Sequence, residues 1–524
     1  MGNFLEDMAL VKYGIGMQDF ADMIERSFVY VDKTQYIIKL LEGSDLYFLS
    51  RPRRFGKSLF LSTLKNFFLG RRELFKGLAI DSYDWDWLQY PVIHISFAQG
   101  SFADPEGLKD RISQMLFYLE EDFGLEKRFD KPSERFGDLI RRLSRREGRK
   151  VVVLIDEYEK PLLDAYGTPG FDSSRNELSS FYSALKDNTE NIRLLFITGV
   201  TRFGQLNIFS GLNNLRDISL SDDFAAVCGI TEEEIRAKLM PGIQKLAEKE
   251  GGSSEEVFRK LKRYYDGYHF SESLTDVYNP WSVFNCLREG RFSSDWFRSG
   301  SPSYLLKILK EKEYDLESLL GSEVSENKLT GFGVDVMDPT ALLYQSGYLT
   351  ISKYDRQTRL FTIGLPNYEV RTALFEAILP YYLGKDKELT PKDLVKLATY
   401  IERGEAENMM RWLSAYFSKI SFISKLRFER DFQFLVVSIF LLIKDFCDVH
   451  CEYSLSSGIA DIVVEAKEYV YVFEFKIGED ADEALSQINF RRYDLPWSAD
   501  GRRVFKIGAA FSTDNNGILH YIIE

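Results

Sequence analysis

Residues 46–68 read LYFLSRPRRFGKSLFLSTLKNFF, and the fold is decided here. Leu46–Leu49 is an apolar run of the length of a buried strand. Ser50–Ser58 is polar, basic and glycine-containing. From Leu59 the pattern turns helical, with Leu61, Leu64, Phe67 and Phe68 on or near one face. Strand, loop closing in Gly56-Lys57-Ser58, then helix is the context in which backbone N–H groups and a helix dipole hold phosphate. In that reading Lys57 reaches the β- and γ-phosphates of ATP, and Ser58 ligates the accompanying Mg²⁺. The nucleotide-binding candidates are Arg53, Arg54, Phe55, Gly56, Lys57, Ser58 and Leu59. The general form G-x-x-x-x-G-K-[ST] asks for glycine where this chain has Arg51. Taken alone, Gly-Lys-Ser also fits a basic surface turn before a helix.

A second motif lies roughly a hundred residues further on, where Val151–Ile155 is followed by Asp156 and Glu157. A continuous apolar, largely β-branched run reads as a central parallel strand buried on both faces. Ligands of open α/β sheets bind at the carboxyl ends of such strands. Asp156 is therefore the candidate to hold Mg²⁺, and Glu157 the candidate to polarise the attacking water. Ile192–Thr198 is a further strand, ending in Thr198-Gly199-Val200-Thr201-Arg202. Thr198 or Thr201 is expected to face the γ-phosphate. Arg202 is expected to neutralise charge there, in its own site or a neighbour's.

The residues also carry a family resemblance. Gly14-Ile15 and Tyr30-Val31-Asp32-Lys33-Thr34 precede the loop RPRRFGKS (51–58). Ile155–Tyr158, Thr198–Phe203, Tyr265-Asp266-Gly267-Tyr268 and Asn279-Pro280-Trp281-Ser282 follow it. This series resembles the predicted AAA-like ATPases fused to a C-terminal PD-(D/E)XK nuclease-like domain. The resemblance spans most of the chain and makes Arg51 a usual member of the loop.

Composition sets bounds. At 524 residues the chain is long enough for two or three domains. Lys and Arg number 67 against 80 Asp and Glu, a net charge of −13, so any nucleic-acid site must be a local basic patch. Four cysteines indicate no disulfide framework and suit a reducing cytoplasm. Cys447, His450 and Cys451 supply three metal ligands at most and are expected to be structural. No signal peptide is evident, and the longest apolar run, Phe432–Ile443, is too short to span a bilayer.

In chain order, Tyr30–Lys33 is expected to join the sheet, and Thr34 to cap a helix from Gln35 to Leu41. Phe28 and Tyr30 are candidates for contact with the nucleotide base. The basic run from Arg141 to Lys150 reads as the charged last turn of a helix, with an anion-binding patch as the alternative. Thr231-Glu-Glu-Glu234 is a helix start.

The last hundred residues hold a second chemistry. Gly458–Val464 and Tyr469–Lys476 read as two strands joined by a tight turn. Glu474 and Lys476 are two apart and share a face, and Asp461 can lie opposite them. Two carboxylates and a lysine suit phosphodiester hydrolysis, the acids holding Mg²⁺ and the lysine orienting water or neutralising charge. The resemblance implies Asp461, Glu474 and Lys476 as the PD-(D/E)XK core, Glu429 as a fourth member, and Gln487 as a site-facing residue on the following helix, with Tyr493 a weaker candidate. Relatives often carry arginine where this chain has Ile459. Residues 426–524 hold ten Lys and Arg against seventeen Asp and Glu, unfavourable for attracting a duplex at long range.

The expected fold is α/β. It comprises a P-loop NTPase parallel sheet with helices on both faces (1–229), a helical lid with a winged-helix-like module (230–370), a helical linker (371–425) and an α+β PD-(D/E)XK nuclease-like domain (426–524). The expected function is an ATP- and Mg²⁺-dependent ATPase controlling a nuclease that acts on nucleic acid, DNA ahead of RNA. A homo-oligomer is compatible with it, and no membrane is involved. The alternative is a nucleotide-switched scaffold whose nuclease-like domain only binds.

Overall fold

The apolar run at Leu46–Ser50 forms strand β1, with Tyr47, Phe48 and Leu49 buried. In this computed structural model the described residues are 11–524, apart from 101, 103–104, 203–207, 210–211, 213, 295, 297–320, 332–338, 375–389, 419–428, 442, 444–445, 456, 479 and 513–516. They fall into two units, Met1–Val370 and Arg371–Glu524.

In the first unit β1 joins β2 (Val92–Ser96), β3 (Val151–Asp156), β4 (Ile192–Gly199) and β5 (Arg216–Asp217). All pairs are parallel, in the order β2-β3-β4-β1-β5. Strand β4 separates β1 from β3, with Leu49 opposite Thr198 and Ile155 opposite Ile197. The loop after β1 and the acids ending β3 therefore open at the same edge. Strand β3 is buried along its whole length, as its unbroken apolar run requires.

The helices of this unit are α1 (Phe20–Glu25), α2 (Gln35–Glu42), α3 (Lys57–Phe68), α4 (Pro105–Asp122), α5 (Pro132–Glu147), α6 (Lys160–Ala165) and α7 (Phe171–Lys186). Phe60, Leu61, Leu64, Phe67 and Phe68 of α3 are buried, each contributing about 1.5–3 kcal/mol relative to exposure. Phe136 of α5 stacks on Phe181 of α7.

Two local expectations are corrected. Residues 28–33 join no strand; Val29 and Val31 pack instead against the core around Ile243 and Leu246. Thr34 makes no capping bond; its hydroxyl donates to Asp32 Oδ1 and accepts from Ile80 N–H, joining distant segments instead. The basic run ends α5 in paired form, with Arg142 on Asp138, Arg146 on Glu147, and Arg149 on the carbonyl of Gln89.

Helices α8 (Glu232–Lys238), α9 (Met240–Glu250), α10 (Ser254–Tyr265) and α11 (Pro280–Glu289) follow. Thr231 and Glu234 form a complete capping box on α8. The core of this module includes Ile243, Leu246, Leu261 and Val283, and Tyr13, Ile15, Val29 and Val31 of the N-terminal segment pack against it. Strands β6 (Glu323–Val324), β7 (Thr350–Asp355) and β8 (Leu360–Gly364) make a small sheet in the order β6-β8-β7.

The second unit is built on a mixed sheet of β9 (Asp448–Leu455), β10 (Gly458–Glu465), β11 (Tyr469–Ile477), β12 (Arg503–Ser512) and β13 (Gly517–Ile523). Its order is β13-β12-β11-β10-β9. Strands β11 and β12 are parallel and the other neighbours antiparallel. The helix Ala481–Arg491 packs on β11 and β12. Among the described residues no helix is long and apolar enough to cross a membrane.

Candidate functional site

The loop after β1 is shaped by two left-handed residues, Arg54 (φ 68°) and Gly56 (φ 96°). Glycine adopts that conformation at little cost. At Gly56 an added Cβ would meet nothing within 4 Å, so the space above the turn is open. Helix α3 starts at Lys57, its N-terminal residues Lys57, Ser58 and Leu59 lining a cavity of roughly 260 Å³. Arg53, Glu157 and Val200 line it too, as do Met17, Met23, Trp281 and Phe284 with Gly14 and Gly16.

Ser58 Oγ donates to Asp156 Oδ2 at 2.6 Å, joining the loop to the end of β3. Asp156 Oδ1 accepts from the N–H of Glu157 at 3.0 Å. Glu157 lies at φ 51°, uncommon for a residue other than glycine and a mark of strained functional positions. Burial, and after it the neighbouring Asp156, push its carboxyl above the usual range. Lys57 Nζ donates to the carbonyls of Arg51 and Pro52, both at 2.9 Å, and burial pushes its ammonium down. An open left-handed turn, a helix start, a lysine and a hydroxyl–carboxylate pair suit a nucleoside triphosphate with its divalent ion.

Several predicted residues stand elsewhere. Phe55 is buried edge-on against Tyr268 at 4.8 Å and Phe270 at 5.5 Å, away from the cavity. Thr198 is fully buried, its hydroxyl donating to the carbonyl of Leu49 on the neighbouring β1 at 2.9 Å, and it does not line the cavity. Arg202 is paired with Asp217 at 2.8 Å and does not line the cavity. Arg54 lines it while its guanidinium stacks 3.9 Å above the ring of Trp281. Tyr30 lines a smaller adjoining cavity, and Phe28 lines neither.

The structure also brings in residues that sequence reasoning missed. Arg51 is 1% exposed and donates to the carbonyls of Ser50, Ser219 and Phe224 at 2.7–3.0 Å, with Phe270 under its guanidinium at 4.3 Å. It clamps the loop to the segment after β5, a reason for arginine where other loops have glycine. Two other stretches of the family series, Tyr265–Tyr268 and Asn279–Ser282, contact the loop. Asn279 caps α11 and places Trp281 on Arg54. Gly267, at φ 86°, lets the chain pass Pro366, whose carbonyl oxygen would be 2.1 Å from an added Cβ, and Tyr268 then meets Phe55. Asn-Pro was legible as a helix start; the target of the ring after it was not.

In the second unit Ile462 pairs with Phe473, which sets Asp461 and Glu474 at the next position along the two strands. Asp461 Oδ2 accepts from the N–H of Phe475 at 2.8 Å. Glu474 is buried, and its Oε1 accepts from Gln487 Nε2, with Lys476 Nζ 3.6 Å away. Two hard carboxylate donors suit Mg²⁺, which keeps water or substrate oxygens in its remaining positions. Among the described residues no group of three or more His, Cys, Asp and Glu forms a metal cluster. Tyr493 belongs to the core instead, packed with Ala460, Val463 and Ile488. His450 pairs with Glu465 at 3.2 Å and Cys447 is buried; the side chains of Cys451 and Glu429 lie outside the described residues.

Residues 14–209 match the family model described as "Predicted AAA-ATPase", and residues 427–521 match that of the PD-(D/E)XK nuclease superfamily. A protein of Azotobacter chroococcum mcd 1, named "Uncharacterized protein in vnfD 5'region", is 33% identical over 530 residues, covering 99% of both chains. The chain belongs to the family of predicted AAA-ATPase-like proteins that carry a C-terminal PD-(D/E)XK nuclease-superfamily domain.

Proposed function

We propose that this protein binds and hydrolyses ATP with Mg²⁺ at the loop cavity, and that the cycle controls a Mg²⁺-dependent phosphodiesterase centre acting on nucleic acid. The single observation that carries this reading is the 2.6 Å bond between Ser58 and Asp156 at the cavity lined by Lys57 and Glu157. Hydroxyl and carboxylate are the pair that shares the magnesium in phosphate-loop enzymes. ATP with Mg²⁺ supplies a transferable γ-phosphoryl group and the charge that polarises it. Lys57 leaves its two loop carbonyls for phosphate oxygens, and Arg53 and Arg54 add positive charge at the rim. Glu157 takes a proton from the attacking water. Its raised carboxyl is a better base near neutral pH than an ordinary glutamate.

In the second unit Asp461 and Glu474 hold the divalent ion, Lys476 orients water or offsets charge on the scissile phosphate, and Gln487 fixes the Glu474 carboxylate. The test is purified protein with Mg²⁺ or Mn²⁺, with and without ATP, offered single- and double-stranded DNA and RNA. Cleavage that disappears in Lys476→Ala and loses its ATP dependence in Lys57→Ala is the expected result. Cleavage that survives both substitutions rejects the reading.

Two observations favour a second reading, a nucleotide-switched scaffold. Ile459 is 55% exposed at the position where the family resemblance often places an arginine, and residues 426–524 are acidic on balance. That reading expects ATP-dependent binding of a partner and no cleavage of any nucleic acid.

A further inference from the structure

Resting on the ATP-hydrolysis reading above, we propose that Glu159 is a positioning residue: its carboxyl ties the turn carrying Glu157 to the exit of β4. Glu159 is 2% exposed. Its Oε1 accepts from the N–H of Val200 at 2.5 Å, and Val200 lines the same cavity as the loop. Its Oε2 is buried with no hydrogen-bond partner among the described residues and lies 1.9 Å from where a Cβ on Gly199 would stand. Glycine at 199 is what makes room for the carboxyl. Two further bonds stitch the same segments together, Tyr158 N–H to the carbonyl of Thr198 and Tyr158 Oη to the carbonyl of Thr201 at 2.9 Å.

Glu157 thus stands between two anchors. On one side Asp156 is tied to Ser58; on the other, Tyr158 and Glu159 are tied to β4. A non-glycine residue at φ 51° persists only where its surroundings hold it. Without the Glu159 anchor the turn is held to β4 through Tyr158 alone and Glu157 can relax away from the water it activates, while no hydrogen bond of the phosphate loop is lost. The two functions separate: turnover depends on Glu159 and nucleotide affinity does not.

The experiment compares full-length wild type with Glu159→Ala, Glu159→Gln and Glu159→Asp. It measures kcat for ATP hydrolysis, and Kd by titration with a fluorescent ATP analogue. Misplacing a catalytic group by about 1 Å costs on the order of 100-fold. Glu159→Ala is expected to lower kcat about 10- to 100-fold with Kd within about twofold of wild type. Glu159→Gln keeps an acceptor for Val200 and is expected to restore kcat to within about threefold. Glu159→Asp falls short of Val200; it is expected to behave as the alanine variant and serves in its place if alanine does not fold. A wild type that turns over ATP beside folded Ala or Asp variants of equal kcat overturns the role, as does a glutamine variant that restores nothing. A wild type with no turnover removes the proposed ATPase, and this role with it.

Discussion

The same carboxyl offers a test in stability. Burial holds Glu159 at about 7 against an ordinary 4.5, outweighing the opposing bond from Val200 and the charge of Lys57. Between those values the native state keeps a proton that the unfolded chain has released. Stability is therefore lost as pH rises from about 4.5 to about 7, and the loss is complete above that. At ~1.4 kcal/mol for each pH unit, the gap amounts to on the order of 3 kcal/mol, of which about 1 kcal/mol is already present at pH 5. Glu159→Gln has no proton to release and keeps the acceptor. Relative to wild type it should gain about 2 kcal/mol between pH 5 and pH 8. Groups that do not couple to Glu159 titrate alike in both proteins and cancel; Lys57 and Glu157 do couple to it, so the comparison reads the three together. Urea unfolding at pH 5, 6, 7 and 8, followed by hydrogen exchange at the β3 and β4 amides, reports this unit alone. A difference between the two proteins that is flat across that range refutes the reasoning.

Other consequences follow from the clamps around the loop. Arg51→Ala removes a donor from three carbonyls, of which that of Phe224 keeps Val227 N–H, and opens a cavity over Phe270; a loss on the order of 3–5 kcal/mol is expected, read by urea unfolding. Gly267→Ala sets a methyl against the carbonyl of Pro366 at a left-handed position, so little soluble folded protein should be recovered on expression. Trp281→Ala removes the stack on Arg54, worth about 0.5–2 kcal/mol, and should weaken ATP binding several-fold in an equilibrium titration while circular dichroism stays unchanged. Asp461→Asn should abolish metal-dependent cleavage and leave ATP turnover intact, measured side by side on one preparation.

Much of this protein was legible from its residues. The strand, turn and helix of 46–68 follow from local periodicity and from a glycine that can turn left-handed at position 56. The buried run before Asp156 declares a central strand by its composition. Asp461, Glu474 and Lys476 can be paired because strand geometry alternates side chains by a fixed period. In each case the relevant forces act between near neighbours, so sequence spacing is enough to see them.

The tertiary structure alone decided the rest. Thr198 has the right chemistry for a sensor, but its hydroxyl is spent on the carbonyl of Leu49, its register partner on β1. Arg202 is taken by Asp217, and Arg51 by carbonyls about 170 positions away. Glu159 looks like one more acid after a strand until Gly199 and Val200 close over it. Burial and partnership between distant positions arise only when the sheet order brings the segments together. No local pattern encodes that order, and so the supports of the site stayed hidden while its motifs did not.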